Sequence, residues 1–188
     1  MKLPPFLLDR WLDQKFSADP PIEYDLGSST GPVWSLRELL ALGGDHASEQ
    51  LLDTALSYTT PAGSAELREA IAKLEGVDPI EVQVVTGAAE ALLILFFLAA
   101  EPDANVVLPR PGFPTNSALT ESLKLESRYY TLRPENEFRI DMDEIRGLVD
   151  RNTRIVLVNS PHNPTGERLA VLALQHHEAM RASCRLDD

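Results

Sequence analysis

The sequence predicts a three-layer α/β/α protein with a mostly parallel β-sheet. Short apolar runs rich in β-branched residues alternate with stretches whose apolar residues recur at helical spacing, and this alternation is typical of βαβ units. Turns rich in Gly, Ala, Asn or Pro follow three of the apolar runs. Because open α/β sheets bind ligands at the carboxyl ends of their strands, we expect these turns to carry the functional residues.

The composition argues against several classes of partner. Of the 188 residues, 44% are hydrophobic and 24% charged, as in ordinary globular proteins, and the net charge is -12. An acidic surface disfavours nucleic acid and anionic membranes. The longest apolar run, 91–100, is about half the roughly 20 residues of a membrane span. A single cysteine, Cys184, allows no internal disulfide, and Met1–Pro5 carries no signal-peptide pattern, so we expect a cytoplasmic protein.

Short helices separated by loops are predicted for the first part of the chain. Apolar residues at helical spacing predict a helix over 6–16. Ser35-Leu36-Arg37-Glu38 is a capping box that predicts a second helix, which Gly43-Gly44 ends. Ser64 is expected to cap a third helix, which runs to Leu74 with its apolar residues on one stripe.

Strands and helices alternate after residue 80. Strands are predicted at 82–85, 105–108, 127–132 and 154–158. Helices are predicted at 88–100, at 116–123, from 141 onwards and at 169–180. Asp141-x-x-Glu144 is a second capping box, and it predicts where the third of these helices begins.

The turn Thr86-Gly87-Ala88-Ala89-Glu90 lies between a predicted strand and the most apolar helix. Small residues in the first turn of a helix leave backbone N–H groups open, and the helix dipole adds positive potential there. This pattern indicates an anion site, most naturally for phosphate. Close packing of the helix on the strand explains the same small residues without any ligand. A Gly-x-Gly-x-x-Gly dinucleotide fingerprint is absent from the sequence.

The loop Pro109-Arg110-Pro111-Gly112-Phe113-Pro114 follows the next predicted strand. Its prolines make it rigid, and Phe113 could offer a flat face to a planar ligand. Alternatively, Phe113 anchors the loop in the hydrophobic core.

The third turn is Asn159-Ser160-Pro161-His162-Asn163-Pro164-Thr165-Gly166, after the apolar run 155–158. The side chain of Asn163 can donate to an anionic oxygen, with its position set by the two prolines. The alternative is an ordinary connection between a strand and a helix. His162 is better explained by a structural hydrogen bond than by acid–base chemistry.

Together these segments resemble the class I/II aminotransferases, which are fold-type I pyridoxal-phosphate enzymes. The motifs occur in the family's order: Tyr58-x-x-Pro61-x-Gly63-x-x-x-Leu67-Arg68, then Thr86–Leu92, Pro111–Pro114, and His162–Gly166. Trp11, Ser28-Ser29 and the last turn are also similar to capreomycidine-synthase-type members. The resemblance implies an N-terminal arm or small-domain segment at 1–50 and an incomplete, pyridoxal-phosphate-binding large domain at 51–188.

The resemblance also assigns roles to individual residues. Gly87, Ala88 and Ala89 would bind the phosphate of pyridoxal 5'-phosphate, although the family often has Ser or Thr at the position of Ala89. Phe113 would stack on the pyridine ring, and Asn163 would donate to the phenolic oxygen. Tyr58 would reach the phosphate of a neighbouring subunit, which implies a homodimer, and Gly31 would lie near the substrate. Arg110–Pro111 and Asn163–Pro164 would be cis peptide bonds.

The residue that performs covalent catalysis in the family has no counterpart in the sequence. The Schiff-base lysine and the arginine for the substrate carboxylate belong to later segments of the family. The four lysines are Lys2, Lys15, Lys73 and Lys124, and none has the expected context. The resemblance therefore implies amino-group transfer between an amino acid and a keto acid in intact relatives, and no turnover by this chain alone. A poorly folded fragment and a non-catalytic binding module are the alternatives; no metal site is expected.

Overall fold

The computed structural model describes residues 7–24 and 31–168. Its helices are α1 (Leu7–Phe16), α2 (Leu36–Leu42), α3 (Ala47–Leu52), α4 (Ala65–Glu75), α5 (Gly87–Ala99), α6 (Pro114–Leu123) and α7 (Met142–Leu148). Its strands are β1 (Asn105–Arg110), β2 (Glu126–Thr131) and β3 (Thr153–Val156). The chain divides into two compact units, Asp13–Val85 and the remainder. The predicted helix at 169–180 lies outside the described residues, and the predicted domain boundary at residue 50 stays a prediction.

The unit Asp13–Val85 contains the predicted helix caps. Ser35 accepts a hydrogen bond from the Glu38 N–H at 3.2 Å, and the Glu38 carboxylate accepts one from the Ser35 N–H at 2.8 Å, so the capping box is confirmed. The side chain of Ser64 accepts from the Leu67 N–H at the start of α4. Both caps satisfy N–H groups that the first turn of a helix leaves without partners.

The predicted strand at 82–85 is wrong. This segment is extended, but the described residues form no strand there. Val84 donates its N–H to the carbonyl of Ala62 at 3.0 Å, and the Val82 carbonyl accepts from Arg68 Nε at 3.0 Å. A β-branched run becomes a strand only when a second strand lies beside it, and here a loop and a helix take its polar groups instead.

The second unit contains a parallel sheet with the order β2-β1-β3. The central strand β1 is buried along most of its length, and successive side chains point to opposite faces. Val106 and Leu108 pack with Phe96 of α5 on one face. Val107 packs with Tyr130 and with Ile145 of α7 on the other. Helices therefore cover both faces, and the three-layer, parallel architecture is confirmed.

The second predicted capping box is half right. Asp141 does cap α7, because its carboxylate accepts from the N–H groups of Asp143 and Glu144. Glu144 does not reach back to Asp141. Its carboxylate instead accepts from the Thr131 N–H at 3.1 Å and pairs with Arg133 at 3.2 Å, which ties α7 to the end of β2.

The helix α5 is apolar around its circumference, and only one side of it faces the sheet. Phe96 is fully buried, whereas Phe97 and Leu98 are 68% and 70% exposed. Within the described part of the chain, no helix is both long enough and apolar enough to cross a membrane.

Candidate functional site

The three turns predicted to carry function end up at one edge of the sheet. The strands β1 and β3 are parallel neighbours, so the segments that follow them leave the sheet side by side. The helix α5 is joined to β1 by a short link and packs on it through Phe96, so it runs back along the sheet and begins at that same edge. Turns 86–90, 110–114 and 159–166 therefore share the edge where α/β sheets bind ligands.

The first turn of α5 is open. Gly87 has a φ of 77°, a conformation that favours glycine, and apart from its chain neighbours and its own helix backbone no described atom lies within 4 Å of where a Cβ would be. Among the described residues, no side chain caps the N–H groups of Gly87, Ala88 and Ala89, because Thr86 makes no cap hydrogen bond. The carboxylate of Glu90 accepts from the Thr86 N–H instead, so a negative charge lies just beside the open turn.

Phe113 lies at the point where the loop after β1 enters α6. It is the N-cap residue of α6, and Pro114 occupies the first helical position. Its ring is half-buried and lines a cavity of about 120 Å³, together with Arg110, Asn116 and Tyr129. The Arg110 guanidinium stacks on the ring of Tyr129 at 3.9 Å. Phe113 is thus neither buried in the core nor fully exposed to solvent.

Asn163 lies on the exposed side of the third turn. Its N–H donates to Asn159 Oδ1 at 2.6 Å, and its side chain is exposed. The preceding residue, His162, is buried. Burial lowers the pKa of His162, although the Pro111 carbonyl acts on that pKa in the opposite direction. The turn therefore offers one accessible amide next to a buried imidazole.

Both predicted cis peptide bonds are present. Arg110–Pro111 and Asn163–Pro164 are cis, and so are Ser160–Pro161 and Asp19–Pro20, which were not predicted.

Tyr58 and Gly31 belong to the unit Asp13–Val85. Both are exposed, and no atom lies within 4 Å of where a Gly31 Cβ would be. Their predicted roles at the phosphate of a neighbouring subunit and near the substrate stay predictions.

Two contributors to the third turn were missed from the sequence. Asn159 holds the N–H of Asn163, and the hydroxyl of Thr165 lies 2.8 Å from Nδ1 of His162. Asn and Thr side chains commonly bond to nearby groups in turns, so their place within the motif was the available signal.

Three features lie at the carboxyl edge of the parallel sheet: an open helix N-terminus, a half-buried aromatic ring and an accessible amide. Together they form a candidate site for an anionic, planar ligand. The sequence profile for "Aminotransferase class I and II" matches residues 23–180. This chain therefore belongs to the class I and II aminotransferases, which are pyridoxal-phosphate-dependent enzymes of fold-type I.

Individual relatives agree with this assignment. A probable aminotransferase of Arabidopsis thaliana is 35% identical over 158 residues, which cover 80% of this chain and 37% of that protein. The capreomycidine synthase of Streptomyces vinaceus is 32% identical over 166 residues, or 87% of this chain and 42% of that enzyme. A pyridoxal-phosphate-dependent aminotransferase from Streptococcus suis superposes with a TM-score of 0.85 at 26% identity, over 98% of this chain and 50% of its own. This chain thus spans half or less of the length of these relatives.

The residues at the sheet edge fit the non-covalent contacts that pyridoxal 5'-phosphate needs. Open N–H groups at a helix N-terminus suit its phosphate, a phenylalanine ring suits its pyridine, and an amide donor suits its phenolic oxygen. The Glu90 carboxylate beside the phosphate turn is the feature that opposes an anion there.

Proposed function

We propose that this chain forms part of the cofactor pocket of a pyridoxal-phosphate enzyme that transfers amino groups between an amino acid and a keto acid. The open first turn of α5 carries the proposal, because a glycine with positive φ and uncapped N–H groups make an anion site at the edge that also bears Phe113 and Asn163. The corresponding role is in amino acid metabolism, in a biosynthetic process.

Each residue of the pocket has a separate task. The backbone N–H groups of Gly87, Ala88 and Ala89 donate to the phosphate, Phe113 stacks on the ring, and the side chain of Asn163 donates to the phenolic oxygen. When bound, pyridoxal 5'-phosphate supplies an electron sink for chemistry at the amino acid's α-carbon. The residues of this chain bind and orient that group, and they exclude water from one of its faces.

We further propose that these 188 residues do not transaminate by themselves, because none of the lysines in the described ranges has the setting of a Schiff-base lysine. Lys73 is an exposed residue of α4. Lys124 follows the C-terminal end of α6, whereas Phe113 lies at its N-terminal end, about 15 Å away for a helix of this length. Covalent catalysis requires an amine held against the ring.

The remaining roles follow from the family. We propose a homodimer in which Tyr58 contributes to the phosphate site of the partner and Gly31 lies near the substrate. We also propose that residues 1–50 form an arm or small-domain segment, that 51–188 belong to the large domain, and that the protein is cytoplasmic.

Binding of pyridoxal 5'-phosphate by the purified chain tests the pocket. We expect saturable binding that weakens about tenfold in Asn163→Ala, as for the loss of one hydrogen bond to a charged group, and measurably in Phe113→Ala. Asn136→Ala and Phe16→Ala are matched controls, because both residues are exposed and lie outside the pocket. Equal dissociation constants for the site variants and their controls would contradict the proposed pocket.

Borohydride reduction of the loaded chain tests the absence of covalent chemistry. Mass spectrometry should find no lysine that carries a pyridoxyl group. A stoichiometric modification at a single lysine would overturn this part of the proposal.

The second candidate is a fragment without catalytic function that folds poorly or keeps only a phosphate pocket. The exposed apolar side of α5, with Phe97 and Leu98, favours it, because contiguous exposed apolar surface is costly in water. Cooperative thermal unfolding of the chain would count against poor folding. Saturable binding of pyridoxal 5'-phosphate with no turnover would separate a binding module from an inert fragment.

A further inference from the structure

His162 is a buried polar residue in a turn most of whose other members are exposed. It is 5% exposed, whereas Pro161, Asn163, Pro164 and Gly166 are exposed. A buried imidazole is unfavourable unless its hydrogen-bonding groups find partners. Its contacts therefore show what it contributes.

Three hydrogen bonds connect His162 to the rest of its turn. Its N–H donates to the Glu167 carbonyl at 2.8 Å, and its carbonyl accepts from the Gly166 N–H at 2.7 Å. Its Nδ1 lies 2.8 Å from Thr165 Oγ1. The two backbone bonds close the turn, and the side-chain bond fixes the imidazole ring within it.

The imidazole also faces the loop that follows β1. The Pro111 carbonyl raises the pKa of the imidazole, against the lowering by burial, and Pro111 precedes Phe113 by two positions. Nε2 is buried and has no hydrogen-bond partner of good geometry among the described residues. His162 thus lies between the turn that carries Asn163 and the loop that carries Phe113.

We propose that His162 is a positioning residue for the cofactor pocket, which fixes the direction of the Asn163 side chain relative to Phe113. The inference rests on the proposed function as far as the cofactor is concerned. Asn159 holds the backbone N–H of Asn163 at 2.6 Å, and the two backbone bonds of His162 close the chain around that residue, so the backbone that carries the Asn163 side chain is fixed from both sides. His162 itself touches no reacting atom and acts through Asn163.

Amide hydrogen exchange tests the positioning role without any ligand. In His162→Ala, exchange at the N–H groups of Asn163 and Gly166 should accelerate about tenfold, the change expected for a weakened hydrogen bond, while the amide of Leu132, which donates to the Arg110 carbonyl at 2.8 Å, stays protected. His46→Ala is the matched control, because His46 is exposed. Unchanged exchange in the turn, or equal acceleration at Leu132, would overturn the proposal.

Thr165→Val provides a second variant in case His162→Ala does not fold. It removes the hydroxyl that holds Nδ1 and leaves the imidazole in place. The same local acceleration at Asn163 and Gly166 is expected, and its absence would also contradict the proposal.

A double-mutant cycle on pyridoxal 5'-phosphate binding then tests whether His162 acts through Asn163. His162→Ala should weaken binding about tenfold in the wild-type background and not at all in the Asn163→Ala background. If His162→Ala weakens binding by the same factor in both backgrounds, the proposal is overturned, whereas the proposed cofactor pocket is not. If the wild-type chain binds no pyridoxal 5'-phosphate, the proposed function fails, and hydrogen exchange alone decides the role of His162.

Discussion

Tyr130→Phe tests how the sheet holds the segment that leads into the third turn. Tyr130 is 1% exposed on β2, and its hydroxyl donates to the Leu157 carbonyl just after β3 at 3.0 Å, across the central strand. Burial raises the pKa of Tyr130, so the hydroxyl keeps its proton at neutral pH and remains a donor. Phenylalanine fills nearly the same volume, so the substitution removes the hydrogen bond and little packing.

We expect Tyr130→Phe to lower the free energy of unfolding by about 1–2 kcal/mol, because a partly buried hydrogen bond to the Leu157 carbonyl is lost. With a urea dependence of about 1–3 kcal/mol per M, the midpoint should fall by about 0.3–2 M at an unchanged slope. Tyr24→Phe is the matched control, since Tyr24 is 77% exposed, and it should leave the midpoint unchanged. A midpoint for Tyr130→Phe equal to that of the control would refute the reasoning.

Two further predictions concern acid stability and a loop glycine. Hydrogen bonds from Asn105 and Arg128 lower the pKa of Asp150 to about 2. The contribution of Asp150 to stability is therefore present above about pH 4 and is lost as the pH falls towards 2. Urea midpoints at pH 5 and pH 3 should differ less in Asp150→Asn than in the wild type. Gly63 has a φ of 98°, and an added Cβ would lie 2.5 Å from Val84 Cγ2. Gly63→Ala should therefore lower the thermal midpoint of unfolding. An unchanged midpoint would contradict the clash.

Elements whose signals are local could be predicted from the sequence. Ser35 and Glu38 form a cap within a single turn of chain, and β1, β2 and β3 follow from short runs of residues that favour strands. The segment 82–85 has the same composition but no strand beside it, because pairing depends on distant parts of the chain. Glu144 likewise bonds to β2 instead of its own helix, and only the sheet order reveals that alternative.

The candidate site shows the same division between local and distant signals. Gly87 and the prolines on either side of Asn163 mark unusual backbone geometry, so the turns could be found from the sequence. The contact between His162 and the loop of Phe113 depends on β1 and β3 being neighbours. The sequence predicts parallel strands in general, whereas the order β2-β1-β3 and its register come from packing.

The walls of the pocket are attached to the fold by different forces, and this affects how the site responds to change. Phe113 and Asn163 lie on extensions of hydrogen-bonded strands, and Tyr130 ties the second extension across the sheet. The open turn at Gly87 is instead held by α5, which packs on the sheet through apolar contacts centred on Phe96. Loss of apolar packing should therefore disturb the proposed phosphate contacts first, whereas loss of a buried hydrogen bond should disturb the proposed contacts to the ring and the phenolic oxygen. The two halves of the proposed pocket should thus be weakened separately, because directional hydrogen bonds fix one and non-directional burial fixes the other.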